Sequence, residues 1–436
     1  MSASVATAES IRSAAIEVRA VTRPPRHHFF GYYDKCPWDG TGKRLLVHEV
    51  AFNDRAPGAE DEATVAVVEL ERGNRLVPFG RTHAWNFQQG AMLQWVGPDY
   101  ARRVAYNRRD GERFVAVLAD LEAGTERVLD RPIGALSRDG SKALCLNFAR
   151  LADARPGYGY AGSRDPWADV AAPEDDGIHL LDLATGDSRL VVSLAEAAEA
   201  GERPPPRGAK QWFNHVLFNP SGTRFCFLQR WRENGSLQTR LFTARADGSD
   251  LYCLSEAGMV SHFDWRNDEQ LLAWARVSPA SGGGRASVAR LAGRQWLKRP
   301  PLSWGVHLAR RAGVVAWTRR KVLGDRFQLF TDRTREAEPV GLGELAEDYH
   351  CSYSPNGRFV LLDGYPHEDG KRELCVYDTQ DERRIELARL VSMPELTAEI
   401  RCDLHSRWDR TGARVCIDST HEGTRQVYVV EPLPLS

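Results

Sequence analysis

The sequence lacks apolar runs long enough to cross a membrane, and it carries no excess of charge of either sign. Its 436 residues include 58 Lys and Arg against 59 Asp and Glu, so overall charge does not predict a nucleic acid or another polyanion as partner. Residues 1–19 contain no apolar stretch of the kind found in secretory signals. A phosphate-binding Gly-rich loop, a dinucleotide fingerprint and a nucleophile elbow are also missing. These absences argue against membrane and nucleic-acid roles.

The cysteines do not form a disulfide framework. The sequence has eight of them, scattered along the chain. Cys145, Cys226, Cys375 and Cys416 each stand inside an apolar strand pattern, where a cysteine behaves as a small buried apolar residue. Free thiols of this kind are typical of a reducing compartment, so we expect a cytoplasmic protein.

A short hairpin pattern recurs along the chain. In one copy, His350-Cys-Ser-Tyr leads to Ser-Pro-Asn-Gly, and Arg358-Phe-Val-Leu-Leu-Asp follows. Pro presets the backbone of a turn, and Asn-Gly tolerates the left-handed conformations that come next. The seven copies turn near residues 38–42, 97–99, 137–140, 219–222, 266–268, 354–357 and 409–412. A second strand pair follows most copies, which gives units of four strands and roughly 40 to 55 residues.

This repeat predicts an all-β fold, a seven-bladed β-propeller with four antiparallel strands in each blade. The last copy is one strand short, and the alternating stretch at residues 15–22 can supply that strand and close the ring. We expect residues 1–14 to be disordered and residues 15–436 to form a single propeller domain. Residues 194–200 predict a short helix.

Two insertions, at about 150–177 and 276–324, interrupt the repeats. From Gln270 to Gly324 the chain has no Asp or Glu. This basic segment is either a solvated surface loop or a flap that attracts an anionic substrate over one face of the ring.

Four histidines, in four successive copies, precede the turn at corresponding places: His215, His262, His350 and His405. The first strands of the blades of a propeller line its central channel, so these side chains are expected to converge. Imidazole is the commonest metal ligand and a natural base near neutral pH. With Asp348 and Cys402 as further ligands, His262, His350 and His405 predict a manganese or zinc site. Alternatively, such histidines are structural and the acids near them cap the backbone.

Two stretches mix aromatic and hydrogen-bonding residues in the way that sugar-binding sites do. Residues 27–35 contain Tyr33. Blade two contributes another set of candidates for substrate binding, namely His83, Asn86, Gln88, Gln89 and Asn107. The alternative is that loops at the top of a propeller are simply rich in such residues.

At these residues the chain resembles the β-propeller polysaccharide lyases, that is, the oligogalacturonate lyases and the ulvan lyases. The motifs that carry the resemblance are His215-Val-Leu-Phe-Asn-Pro-Ser-Gly, Ser261-His262, Tyr349-His350 and Arg401-Cys-Asp-Leu-His405. The chain is also similar to bacterial propeller proteins that share His-His-Phe-Phe-Gly-Tyr-Tyr-Asp-Lys and Arg-Pro-Gly-Tyr-Gly-Tyr.

The resemblance implies roles for several residues. His215 matches a histidine close to the catalytic base of oligogalacturonate lyases, and His262 and His350 match their metal ligands. Arg230 matches the arginine with which ulvan lyases neutralise the carboxylate of the substrate. Asn214 stands at the position of their catalytic tyrosine.

These residues suit β-elimination, in which a base removes the proton α to a uronate carboxylate and the 4-linked sugar leaves. A cation must neutralise the carboxylate before the proton can be removed, and Tyr158 or Tyr160 is a candidate to protonate the leaving oxygen. The first hypothesis is therefore a lyase for an anionic oligosaccharide, assisted by a metal. The second is a propeller without catalytic activity that binds sugars or serves as a scaffold; a hydrolase is a third, weaker alternative.

Overall fold

The computed structural model describes residues 16–276 and 324–435. These residues form seven four-stranded antiparallel sheets, arranged as the blades of a propeller. This confirms the predicted fold class. The N-terminal segment expected to be disordered lies outside the described residues, as does the basic insertion at 276–324 apart from its two ends.

The first strand of the chain, β1 (Glu17–Ala20), belongs to the last blade. In blades one to six, the strands lie side by side in the order of the chain. Blade one consists of β2 (His27–Phe29), β3 (Arg44–Val50), β4 (Ala63–Glu69) and β5 (Arg75–Thr82). Blade two consists of β6 (Gln94–Trp95), β7 (Arg103–Asp110), β8 (Arg113–Asp120) and β9 (Thr125–Leu129). Blade three consists of β10 (Ile133–Leu136), β11 (Lys142–Cys145), β12 (Gly177–Asp182) and β13 (Ser188–Ser193).

The second half of the ring repeats this order. Blade four consists of β14 (Gln211–Phe218), β15 (Arg224–Glu233), β16 (Ser236–Arg245) and β17 (Tyr252–Ser255). Blade five consists of β18 (Val260–Trp265), β19 (Gln270–Arg276), β20 (Asp325–Thr331) and β21 (Ala337–Pro339). Blade six consists of β22 (His350–Tyr353), β23 (Phe359–Asp363), β24 (Lys371–Asp378) and β25 (Arg383–Val391). Blade seven consists of β26 (Arg407–Trp408), β27 (Val415–Ser419), β28 (Gln426–Glu431) and β1.

The N-terminal strand closes the ring, as predicted. β1 pairs with β28 in an antiparallel register that places Val18 opposite Val430 and Ala20 opposite Tyr428. The two ends of the described chain therefore share one sheet. This pairing covers an edge of β28 that would otherwise be open to association.

Side chains at the repeated turns explain why the turn sequences recur. Asp39 Oδ1 accepts hydrogen bonds from the backbone N–H groups of Lys43 and Arg44, and Asp409 Oδ1 accepts one from that of Ala413. Such side-chain acceptors satisfy turn donors that the sheet leaves free.

Tryptophans link neighbouring blades. The indole Nε1–H of Trp95 donates to the carbonyl of Pro37 in the preceding blade-one hairpin. Trp265 and Trp408 donate in the same way to carbonyls of blades four and six. Large rings between sheets bury apolar area, and these three also keep a hydrogen-bond partner.

The insertion in blade three runs from β11 to β12 and begins with helix α1 (Phe148–Ala154). The guanidinium of Arg150, 1% exposed, holds the insertion in place. It pairs with Asp165 and donates to the carbonyls of Trp167, Val170 and Ala171. A second helix, α2 (Leu194–Glu199), lies where the sequence predicted one.

The eight cysteines are free thiols. The four that were predicted to be buried inside strands, Cys145, Cys226, Cys375 and Cys416, are at most 1% exposed. No helix in the described ranges is long and apolar enough to cross a bilayer.

Candidate functional site

The loop after β2 crosses the centre of the ring and joins distant blades. At Gly31 the backbone φ is +129°, and a Cβ atom there would lie 2.8 Å from the backbone of Gln89 in blade two. The guanidinium of Arg407 in blade seven donates to the carbonyls of Gly31 and Tyr32. Farther along, the Tyr33 hydroxyl bonds to the backbone of Phe263 in blade five. We call residues 30–36 the blade-one loop.

The four predicted histidines meet beside this loop. The ring centroids of His262 and His350 are 4.2 Å apart, and those of His350 and His405 are 4.6 Å apart. The ring of Tyr32 lies 5.0 Å from His215 and 5.2 Å from His405, and so bridges the cluster. All four histidines are at most 5% exposed. Side chains from four different blades therefore form one buried group, which we call the histidine cluster.

The histidines do not share one position within their strands. His350 begins β22, whereas His262 is the third residue of β18 and His405 precedes β26. His215 lies inside β14, where the register with β15 shifts. The backbone φ is +54° at His215 and +41° at His405. Such left-handed backbone in a residue other than glycine is costly and typical of functional sites.

A carboxylate oxygen lies within 3.9 Å of each of the four imidazoles. Asp348 Oδ1 lies 2.9 Å from His262 Nδ1, and Asp363 Oδ2 lies 2.9 Å from His350 Nδ1. Burial lowers the pKa of His262 despite the neighbouring charge of Asp348. Burial, together with the nearby His350, also lowers the pKa of His405 well below its ordinary value. The rings of His262 and His405 are therefore neutral near pH 7, the form that binds metals and accepts protons.

His215 has a carboxylate partner that the sequence did not indicate. Its Nε2 lies 3.2 Å from Oδ2 of Asp34 on the blade-one loop, and its ring stacks on Phe263 at 4.0 Å. Burial also lowers the pKa of His215, although Asp34 opposes the shift. The neighbouring Lys35 donates to the same carboxylate of Asp34. A neutral imidazole with a fixed carboxylate partner is suited to act as a general base.

One group within the cluster has metal-ligand spacing. Donor atoms of His350, Asp403 and His405 lie within 4.8 Å of one another. Asp403 also accepts hydrogen bonds from Arg372 at 2.7 Å and Arg401 at 2.6 Å. These guanidinium groups lower the pKa of its carboxyl, against the effect of burial. A carboxylate so engaged is a weaker ligand than the two imidazoles beside it.

Two other predicted metal ligands, Asp348 and Cys402, do not belong to this group. Asp348 reaches His262 and so orients a histidine. Burial raises the pKa of the Cys402 thiol, which keeps it protonated at neutral pH. A metal binds the thiolate, and Cys402 is not part of the group formed by His350, Asp403 and His405.

Arg230 is a buried cation without a counterion in the described part of the chain. The residue is 4% exposed, and its Nη2 lies 3.4 Å from the carbonyl of Val260. Within the described residues, its Nε and Nη1 have no hydrogen-bond partner. Burying a charge without partners is expensive, so this guanidinium is placed where an anion can bind it.

Tyr158 and Tyr160, the two candidates for the proton donor, lie in different surroundings. Tyr160 is fully buried; its ring stacks on Phe148 at 4.4 Å, and its hydroxyl accepts a hydrogen bond from Asn107. Tyr158 approaches the histidine cluster instead, with its ring 6.3 Å from that of Tyr32. The guanidinium of Arg155 lies over Tyr158 at 4.0 Å. Of the two candidates for the acid, Tyr158 is the one that the fold brings to the cluster.

Most of the predicted sugar-binding amides support the backbone. Asn107 bonds to both backbone groups of Ile133, and Asn86 accepts from the N–H groups of Gln88 and Gln89. The Gln88 side chain donates to the carbonyl of Arg401. The buried side-chain oxygens of Gln88, Gln89 and Asn214 have no hydrogen-bond partner. His83 is half-buried at the end of blade one, one residue after β5.

A separate cavity of about 460 Å³ lies between blades two and three. Its lining includes Arg113, Arg131, Asn147, Trp167 and His179, and none of the four clustered histidines. At the histidine cluster, the rings of Tyr32 and Tyr33 from the blade-one loop pack against the imidazoles instead.

Sequence reasoning missed several residues of the site. They are Tyr32, Asp34, Lys35, Asp363, Arg372 and Arg401. Asp403 is not among them, because its place beside Cys402 makes it a candidate neighbour of the predicted metal ligands. Asp34 and Lys35 end a motif that had been noted for its aromatic residues. Asp363 ends the apolar strand β23, and a carboxylate 1% exposed at the end of such a strand is a usable signal.

The chain was compared with known proteins. No protein-family model matches it, and no curated protein sequence does. Among solved structures, an oligogalacturonate lyase from Vibrio parahaemolyticus superposes with a TM-score of 0.61 at 12% identity, covering 97% of this chain and 95% of that one. An oligogalacturonate lyase in complex with manganese also gives 0.61, at 13% identity, covering 96% and 93%. The shared fold confirms the resemblance to this group of propellers.

Proposed function

We propose that the chain is a lyase that cleaves uronate-containing oligosaccharides by β-elimination. The observation that carries the proposal is the cluster of four buried histidines, together with the uncompensated Arg230 on the strand next to that of His215. A buried cation favours an anionic substrate, and a neutral imidazole can remove a proton from it. The anionic oligosaccharide is thus the proposed partner.

In the proposed reaction, Arg230 pairs with the uronate carboxylate and withdraws charge from it. His215 removes the proton on the carbon α to that carboxylate. The electron pair of the broken C–H bond forms a double bond to the β-carbon, and the bond from that carbon to the leaving oxygen breaks. Tyr158 is the proposed proton donor to this oxygen. Tyr32 packs against both His215 and Tyr158 and keeps water out between them.

The manganese in the similar lyase raises the question of whether this chain suits a metal. The Nδ1 atoms of His262 and His350 are held by Asp348 and Asp363, which leaves their Nε2 atoms free to coordinate. His405 Nε2 is buried without a hydrogen-bond partner. Carboxylates behind imidazoles are the usual outer shell of metal sites. Of these three, His350 and His405 have ligand spacing together with Asp403, and His262 adjoins His350 outside that group. We propose that these histidines hold manganese or zinc, which when bound would supply positive charge for the substrate carboxylate.

We also propose that the seven sheets act as one domain and that the protein works in the cytoplasm. The free cysteines support the second point. The alternative function, a propeller that binds sugar without cleaving it, has less support from blade two, because Asn86 and Asn107 are committed to the backbone.

The test is the ultraviolet absorbance of unsaturated uronate during incubation with a panel of uronate oligosaccharides, with and without added Mn²⁺ or Zn²⁺. We expect the absorbance to rise with the unchanged protein and not with His215→Ala. His421→Ala is the control, since His421 lies outside the cluster and packs on Tyr428. Activity that survives in folded His215→Ala would refute the assignment of the base. Stabilisation by sugar without any rise in absorbance would favour the binding propeller.

A further inference from the structure

We propose that Asp34 is a positioning residue that keeps the proton of His215 on Nε2 and leaves Nδ1 as the proton-accepting nitrogen. The inference rests on the proposed function for its catalytic meaning. Its structural content, the tautomer of one histidine, can be tested without any substrate.

The first support is the contact itself. Asp34 Oδ2 lies 3.2 Å from His215 Nε2, and the two side chains are 1% and 2% exposed. The ammonium of Lys35 pairs with the same carboxylate. Lys35 and His215 lower the pKa of Asp34, although burial acts in the other direction. The carboxylate is therefore ionised and can only accept, so its charge 3.2 Å away draws the proton of a neutral His215 to Nε2, although the contact lacks the angle of a formed hydrogen bond.

The second support is a contrast within the cluster. His262 and His350 present Nδ1 to their carboxylates, at 2.9 Å in both cases. His215 presents the opposite nitrogen. Because an ionised carboxylate selects the protonated nitrogen, the lone pair lies on Nε2 in His262 and His350 and on Nδ1 in His215. The tautomers thus separate the proposed base from the proposed metal ligands.

The third support is that the ring has little freedom to turn. His215 stacks on Phe263 at 4.0 Å with an interplanar angle of 21°. Tyr32 and Tyr33 meet its edge at 5.0 and 5.5 Å. Asp34 is fixed as well, because the preceding Tyr33 is bonded to the backbone of Phe263. A ring held in this way cannot exchange its two nitrogens by rotation without disturbing the loop.

Nuclear magnetic resonance of protein with ¹⁵N-labelled histidine tests the tautomer directly. Long-range ¹H–¹⁵N correlations distinguish a ring protonated on Nε2 from one protonated on Nδ1, and His215→Gln identifies the signals of His215 by their loss. If that variant does not fold, Phe263→Leu serves for assignment, since removing the stacked ring shifts those signals. We expect the Nε2–H form in the unchanged protein and a loss of that preference in Asp34→Asn. An Nδ1–H form in the unchanged protein would overturn the proposal.

A second measurement addresses the catalytic meaning. If the lyase activity is established, Asp34→Asn should lower kcat by roughly 10²- to 10⁴-fold, the range of general acid–base contributions, with a much smaller change in KM. An unchanged kcat in the folded variant would overturn the positioning role. Absence of lyase activity in the unchanged protein would refute the proposed function and leave the tautomer assignment to the resonance experiment.

Discussion

The hydroxyl of Tyr33 donates to the carbonyl oxygen of Phe263 at 3.1 Å and accepts from the amide of the same residue at 3.0 Å. Tyr33 belongs to the blade-one loop and Phe263 to β18 of blade five. One side chain thus completes the backbone hydrogen bonding of a strand whose pairing with β19 is irregular between Val260 and Phe263. The sequence suggested Tyr33 as a substrate-binding residue. Its hydroxyl is bonded to the backbone of β18, and its ring packs against cluster histidines such as His215 and His350.

We therefore expect Tyr33→Phe to destabilise the protein. The substitution leaves a buried N–H and a buried carbonyl at Phe263 without their partner, which costs about 1–3 kcal/mol. Unfolding in urea measures the loss. Tyr32→Phe is the matched control, because the Tyr32 hydroxyl makes no hydrogen bond to the described part of the chain, and its effect should be small. Equal stability of the two variants would contradict the structural role of Tyr33.

At Arg230, unlike at Tyr33, we expect a substitution to stabilise the protein. A buried guanidinium with two unpartnered nitrogens destabilises the free protein, so Arg230→Met should raise the free energy of unfolding, by about 1 kcal/mol or more. The same change should abolish stabilisation by uronate oligosaccharides. Thermal unfolding with and without the sugars measures both effects.

Arg240 provides the comparison for Arg230. It is buried on the adjoining strand β16, but its guanidinium bonds to the side chain of Gln229 and to the carbonyls of Ala197 and Ala200. Arg240→Met should therefore lower the free energy of unfolding. If Arg230→Met is destabilising to the same extent, Arg230 has a structural partner and the proposed carboxylate site is wrong.

The buried His48 should make the free energy of unfolding depend on pH. It is fully buried beside Phe29, accepts a hydrogen bond from the Ala91 amide, and has a pKa lowered by burial from 6.5 to about 4. Between these two values the unfolded chain binds more protons than the folded one, so stability rises with pH across this window and is lost as the pH falls. At pH 5 the titration of His48 makes the protein about 2 kcal/mol less stable than it is at a pH well above 6.5.

Urea unfolding at pH 5 and at pH 8 tests this expectation. His48→Gln keeps an acceptor for the Ala91 amide and cannot be protonated, so the difference in stability between the two pH values should shrink. His367→Gln, at a half-buried residue in the turn before β24, is the control. An equal difference in His48→Gln and the unchanged protein would show that His48 is not the source.

The sequence predicted the ring because the turn chemistry repeats locally. Each Asp-x-x-Gly or Pro-Asn-Gly turn is specified by a few neighbouring residues, and the missing fourth strand after β28 pointed to closure by β1. The convergence of the histidines followed from the ring. What could not be predicted is the path of the blade-one loop, since contacts such as those of Asp34 with His215 join residues far apart in the chain. Asp363, by contrast, lies opposite His350 in the same hairpin and could have been found from the local pattern.

The clearest remaining test of the site concerns Asp363. It lies behind His350 with its Oδ2 at 2.9 Å from Nδ1, while its Oδ1 accepts from the amide and the hydroxyl of Ser406. Burial acts against ionisation, but the neighbouring His350 lowers the pKa of this carboxyl to about 2, so it is charged at neutral pH. It can then hold His350 with Nε2 directed to a metal. Asp363→Asn replaces this acceptor by an amide and should weaken binding of Mn²⁺ or Zn²⁺ by roughly 10- to 100-fold.

Isothermal titration of the metal-free protein with each ion measures this affinity without any substrate. His262→Ala combined with His350→Ala should abolish binding, because it removes two of the three proposed ligands. His179→Gln, a buried histidine of blade three outside the cluster, should bind as the unchanged protein does. Metal retained at full affinity in the double variant would place the metal away from the histidine cluster, and the positive charge required for elimination would then have to come from Arg230 alone.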